Sequence, residues 1–241
     1  MSDNWTKLYN QTKPLLDKFY PNYESAKDLA KNILNKQLKQ GDRVLDLGCG
    51  FHSEDFKEIK SEINLIGLDA DLQAELNNKI IDQFVLADLN SKLPLKDEEF
   101  NLVYSRFVFE HVKDPQQAYK EVYRILKPGG SFVFLVPNLY NPVILISRIL
   151  PTFFHKILKK IFVGVAEEEI YPTYYRANQA RQIKKQLTKV GFKHIQITKR
   201  GGVFEYFMAS KVLFFIGIIW ERLTDYIGKF TKLHIIIIAQ K

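Results

Sequence analysis

Five short apolar runs, each five to seven residues long, punctuate the chain between residues 43 and 137: RVLDL (43–47), INLIGLD (63–69), QFVLADL (83–89), EFNLVYS (99–105) and SFVFLVP (131–137). Each has the length of a buried strand, and helix signals stand between them. Ser53 precedes Glu54 and Asp55, a capping residue followed by first-turn acids. Asp114-Pro115 is a cap followed by proline at the first helical position, opening a helix to about Leu126 that KPGG (127–130) stops. Strands alternating with helices in this way predict βαβ units and a parallel sheet.

The remainder extends the pattern. Residues 4–40 read as helices, with Ala26, Leu29, Ala30, Ile33 and Leu34 on one face. A helix over 177–192 ends at Gly191, and HIQITK (194–199) and HIIIIAQK (234–241) read as two further strands. The stretches 138–175 and 201–232 break the alternation and are rich in aromatic and aliphatic residues. They are expected over the carboxyl ends of the strands, where open α/β sheets bind ligands. The expected organisation is a single domain over 1–241: N-terminal helices (1–40), a cofactor-binding core (41–138), an insertion (139–176), and the end of the sheet (177–241) carrying a second insertion (201–232).

At 44–50 the first strand runs into Gly48-Cys49-Gly50. Glycines there permit a tight reversal and a close approach of ligand to backbone. Asp69 ends the second strand, 21 residues after Gly48, where a carboxylate can accept both hydroxyls of a ribose. Asp88 ends the third run, placed for an adenine amino group, and Asp46 stands beside the turn, placed for a cation. Ser53 occupies the position of the third glycine of the dinucleotide fingerprint, and no basic phosphate clamp is present. Three acids without such a clamp suit a cationic, phosphate-free adenosyl compound, S-adenosylmethionine.

The residues VLDLGCG (44–50), IGLDAD (66–71), LADL (86–89), FNLVYSRFVFEHVKDP (100–115) and RILKPGGSFVFLVPN (124–138) resemble the class I S-adenosylmethionine-dependent methyltransferases, most of all the branch of small-molecule and quinone-biosynthesis enzymes. The resemblance implies a Rossmann-like α/β fold with a seven-stranded, mostly parallel sheet of order 3-2-1-4-5-7-6, its last strand antiparallel. It implies that Asp46, Gly48 and Gly50 line the methionine end and Asp69 holds the ribose. Asp88 and the backbone of Leu89 hold adenine, and Ser105 and Arg106 lie at the sulfonium side. His52 stands where such families often carry a further glycine.

Methyl transfer from a sulfonium is an in-line displacement in which positioning supplies most of the acceleration. A base is needed only where the acceptor must lose a proton, and His111, just after the fourth strand, is the candidate. Some quinone-type O-methyltransferases that this loop resembles ligate a metal through ExxEH. Phe107 replaces the first glutamate, so no metal is expected. Tyr174, Tyr175 and Arg176 are candidates for binding the acceptor.

Charge and hydropathy bear on the partner. Twelve basic residues against three acids fall in 142–200, although the whole chain nets only +8. TFFHKILKKIFVG (152–164) reads as a basic amphipathic helix, and 203–230 as a more apolar lid. Together 141–164 and 203–230 fit an anionic membrane surface as well as a cover for a hydrophobic acceptor. The one cysteine, Cys49, and a polar start without an apolar leader point to the cytoplasm, peripheral to a membrane. The expected function is therefore methyl transfer to a small or lipid-linked acceptor. The alternatives are a nucleic-acid methyltransferase, a non-catalytic cofactor-binding protein and, more distantly, a nicotinamide dehydrogenase. Against the first, SRFVF (105–109) replaces the Asn/Asp-Pro-Pro-aromatic motif of base methylation, and the cations alternate with aliphatics rather than tracking phosphates.

Overall fold

Each apolar run becomes a strand of one sheet. A computed structural model of the chain describes residues 12–51, 53–149, 172–208, 210–227 and 229–241. Its strands are β1 (Arg43–Leu47), β2 (Asn64–Asp69), β3 (Gln83–Leu86), β4 (Phe100–Arg106), β5 (Leu126–Pro137), β6 (Lys193–Arg200) and β7 (His234–Gln240). They form a seven-stranded sheet of order β3-β2-β1-β4-β5-β7-β6, as the resemblance implied. The β1–β2, β1–β4, β2–β3 and β4–β5 pairs are parallel. β7 is antiparallel: Gly129 at the start of β5 donates to Lys241, and Asn138 beyond the end of β5 donates to Leu233.

The helices are α1 (12–19), α2 (Ala26–Gln37), α3 (Gln73–Asn77), α4 (Pro115–Ile125), α5 (Pro142–Ile149), α6 (Ala180–Val190) and α7 (Lys211–Ile227). Side chains alternate across a strand, so both faces of these apolar runs need cover. Val44, Leu65, Leu102, Tyr104 and Val133 pack on one face with Leu34 of α2 and Phe56. Leu45, Leu47, Ile66, Val103 and Phe132 pack on the other, against Val122 of α4 and Leu187 of α6. Asp114 caps α4 as its sequence predicts, accepting from the amides of Gln116 and Gln117.

Three local expectations change. β3 ends at Leu86, so Asp88 lies two residues beyond the strand rather than at its end. KPGG does not separate helix from strand. It is a bulge inside β5, because Phe100 pairs with Leu126 whereas Leu102 pairs with Ser131. Ser53 makes no cap hydrogen bond; residues Glu54–Phe56 form only a 3-10 turn, and the hydroxyl is used elsewhere.

By its internal contacts the chain divides into two compact units. One comprises 27–137, 172–198 and 235–241 and carries the sheet. The other gathers the described residues of 12–26, 138–149 and 199–234. Its core joins Leu16 of α1 to Phe204, Met208, and Phe214 and Ile218 of α7. The basic stretch 152–164 and His52 lie outside the described residues.

Candidate active site

The turn after β1 is fixed by a steric demand. Gly48 has φ +77°, and a Cβ there would stand 2.2 Å from Val108 Cγ2, in the segment that follows β4. Only glycine lets these two chain segments meet. The amides of Gly48 and Cys49 both donate to the Leu68 carbonyl, closing the turn against β2. Asp69, at the end of β2, accepts from the Gly50 amide at 2.8 Å and from its neighbour Asp71 at 3.0 Å. Each of its oxygens keeps a second lone pair for a hydroxyl.

Asp46 is buried at the end of β1. Ser53 Oγ donates to its Oδ2 at 2.6 Å, and Asn78 Nδ2 donates in turn to Ser53 Oγ at 2.8 Å and to the Gly50 carbonyl at 3.2 Å. Burial pushes the Asp46 carboxyl up to about 7, with Asp55 and Asp69 adding repulsion and the Ser53 bond and Arg106 opposing it. The group therefore titrates near neutrality, and an arriving cation would hold it ionised.

Behind Asp46 lies a second cluster. Asp55 accepts from Tyr104 Oη and from Arg106 Nη1, both at 2.8 Å. Burial and the Asp55 carboxylate raise the Tyr104 phenol well above its ordinary value, so it stays a neutral donor. Arg106 is thus answered from within the protein. Ser105 is buried, with its Oγ lacking a hydrogen-bond partner.

Asp88 Oδ1 accepts from the amide and the side chain of Asn90, whose Oδ1 accepts from the Lys113 amide at 2.7 Å. Leu89 is buried in the sheet's core cluster.

A strap formed by residues 172–178 crosses the carboxyl ends of β4 and β5. The amides of Tyr174 and Tyr175 donate to the Glu110 carbonyl at 2.7 and 3.1 Å. Arg176 Nη1 donates to the Lys113 carbonyl at 2.7 Å, and Asn178 Nδ2 to the Pro137 carbonyl at 2.8 Å. His111 Nδ1 lies 3.0 Å from the Pro172 carbonyl. A carbonyl only accepts, so this nitrogen carries the proton and Nε2 holds the lone pair of the neutral ring. Phe107 and Tyr175 have φ of +58° and +50°, a left-handed conformation uncommon for bulky residues and concentrated at functional sites. The Arg176 guanidinium gives its Nη1 donor to the protein's own backbone, and the Lys113 ammonium sits 5.9 Å from the centre of the Tyr174 ring. Glu110 is buried, its Oε2 has no partner, and burial raises its carboxyl to about 8.

Asp46, Gly48, Gly50 and Asp69 thus share one hydrogen-bonded turn, while Asp88 is tied through Asn90 to the segment after β4. Sequence reasoning missed Asp55, Tyr104 and Asn78, and read Ser53 as a cap. The donor set fits S-adenosylmethionine: a buried carboxylate for a cation, a second at ribose spacing, and no basic side chain bonded to the turn among the described residues. Among those residues no cluster of histidine, cysteine and acids of metal-binding size occurs. Cys49 is buried, which pushes its thiol up and keeps it protonated.

The comparisons with known proteins agree. Residues 45–134 match the family model described as a methyltransferase domain. An uncharacterized protein of Methanocaldococcus jannaschii is 30% identical over 194 residues, covering 77% of this chain and 75% of that one. A demethylmenaquinone methyltransferase of Lactobacillus johnsonii is 29% identical, covering 68% of this chain and 72% of that one. The crystal structure of an S-adenosylmethionine-dependent methyltransferase from Archaeoglobus fulgidus superposes with a TM-score of 0.57 at 20% identity, over 95% of this chain and 99% of that one. Sheet order, turn and relatives converge: the chain belongs to the class I S-adenosylmethionine-dependent methyltransferase family and is an enzyme with S-adenosylmethionine as its cofactor.

Proposed function

We propose that this enzyme methylates a small or lipid-linked acceptor held at the carboxyl ends of β1, β4 and β5, working from the cytoplasm at the face of a membrane. The observation that carries the reading is the buried Asp46 beside the glycine turn, with Ser53 and Asn78 behind it. In this reading Asp46 meets the ammonium of the methionine moiety, Asp69 the ribose, and Asp88 with the Leu89 backbone the adenine. Ser105 and Arg106 stand at the sulfonium side. The cofactor supplies a methyl group already activated by the sulfonium, so the protein's contribution is chiefly orientation.

His111 Nε2 accepts the proton that the acceptor's O–H or N–H releases as its bond to carbon forms. Tyr174, Tyr175 and Arg176, laced down as part of the strap, order the acceptor against it. The relative named as a demethylmenaquinone methyltransferase supports a quinone-like acceptor.

Mass spectrometry of the purified protein tests for retained cofactor, followed by a labelled-methyl screen against lipid and small-molecule extracts. His111→Ala should lower turnover by roughly 10²–10⁴ while leaving cofactor affinity nearly unchanged. Unchanged turnover removes His111 as the base, and a calorimetric titration showing no uptake of S-adenosylmethionine removes the methyl-transfer reading.

A further inference from the structure

α7 carries two apolar faces. One, with Phe214 and Ile218, is buried in the core that also holds Leu16, Phe204 and Met208. That face is locked: Glu221 is buried, accepts from the amides of Gly202 and Val203, and pairs with Lys232 at 2.5 Å. The helix cannot roll without breaking this buried ion pair. The second face is the stripe Val212, Phe215, Ile216, Ile219, Leu223 and Tyr226, whose members are between 38% and 93% exposed. Their spacing of three or four residues keeps them within an arc of about 100°. Apolar patches on a monomer of roughly 300–600 Å² are commonly functional.

The charges choose the occupant. Lys211 and Arg222 are exposed along one edge of the stripe, the Arg222 guanidinium 5.6 Å from the centre of the Phe19 ring, and neither forms an ion pair among the described residues. The acids of α7 are both answered by Lys232, Glu221 in the core and Asp225 at 2.5 Å. A surface meeting this helix therefore meets apolar side chains and cations, with no unpaired acid. A second copy of the helix would bring only further cations to the contact. An anionic bilayer offers both what the stripe lacks and what its edge attracts. No described helix is long and apolar enough to cross a membrane, which leaves the in-plane arrangement.

We infer that α7 is a membrane-docking helix, lying flat on an anionic lipid surface with this stripe immersed and Lys211 and Arg222 at the headgroups. The inference deepens the peripheral-membrane reading above and rests on it. The test is flotation of the full chain with vesicles of mixed phosphatidylcholine and phosphatidylglycerol, and with phosphatidylcholine alone. The wild type should float with the mixed vesicles and at least tenfold less with phosphatidylcholine. Ile216→Gln with Ile219→Gln, on exposed positions that spare the core, should lower the bound fraction about tenfold. Lys211→Glu with Arg222→Glu should erase the preference for anionic lipid.

Absence of flotation overturns the inference, as does a glutamine double variant that floats like the wild type. A dimer in sedimentation equilibrium that the glutamine variant dissociates, without flotation, assigns the stripe to a second copy and also overturns it. Calorimetry with S-adenosylmethionine on the same preparations separates the two readings. Cofactor uptake without flotation defeats membrane docking alone, and flotation without uptake defeats the methyltransferase site alone.

Discussion

Asp46 and Glu110 are both almost fully buried in the sheet-bearing unit, the first at the end of β1 and the second in the turn after β4. Burial raises both, to about 7 and about 8. Their surroundings differ. Asp46 has the Ser53 hydroxyl, backed by Asn78, and feels the positive charge of Arg106. Glu110 has an orphan oxygen and only a backbone hydrogen bond to hold its charge down. A carboxyl with fixed partners is poised to ionise when a cation arrives; one without them stays protonated and behaves as a neutral polar side chain.

Of the two carboxyls, Asp46 has more to lose on substitution. Asp46→Asn should weaken S-adenosylmethionine binding roughly 10- to 100-fold in calorimetry, the scale of a hydrogen bond to a charged group. Because only the ionised carboxylate pairs with an ammonium, wild-type affinity should fall as pH drops below about 7, and the variant should lose that dependence. Equal affinity in variant and wild type would show that Asp46 does not meet the cofactor.

Glu110 gives the next effect, in stability. Its folded carboxyl titrates above its unfolded one, so its contribution is fully present below the unfolded value of about 4.5 and is lost as pH rises through about 8. Glu110→Gln cannot ionise. Its melting temperature minus that of the wild type should therefore be more positive at pH 9 than at pH 5, by about 2–4 °C for each kcal/mol involved. A difference independent of pH would reveal a charged partner and collapse the contrast.

Ser53→Ala removes the hydroxyl that favours ionised Asp46, so it should raise the midpoint of the pH–affinity curve and weaken binding about 2- to 10-fold at pH 7. Above the new midpoint most of that loss should disappear. A uniform loss at every pH would mean that Ser53 acts on the turn's shape instead.

The sequence carried the sheet well, because strand length, punctuation and capping are local. Gly48 was legible for the same reason, and Asp69 through its spacing from the turn. The cluster of Asp55, Tyr104 and Arg106 was not, since its members lie about fifty residues apart and meet only when β1 and β4 pair. Asn78 sits in a polar loop with no pattern to mark it. Ser53 looked like a cap because its neighbours are acids, and only the fold shows its hydroxyl turned to Asp46. KPGG looked like a break, since glycine marks bulges and turns alike. In α7 the apolar residues were plain, but a helix apolar on two sides does not say which side the core takes.

The position of β7 constrains how the protein can be made. β6 joins the sheet only through β7, which lies between it and β5. While a ribosome is still adding the residues that follow β6, that strand has no neighbour and the flank of β5 offers an open row of amides and carbonyls. The nascent sheet stays receptive to the wrong strand, from the same chain or another, until residues 234–240 have emerged. Late arrival of that one segment makes the interval before its insertion the period when this protein most needs shelter.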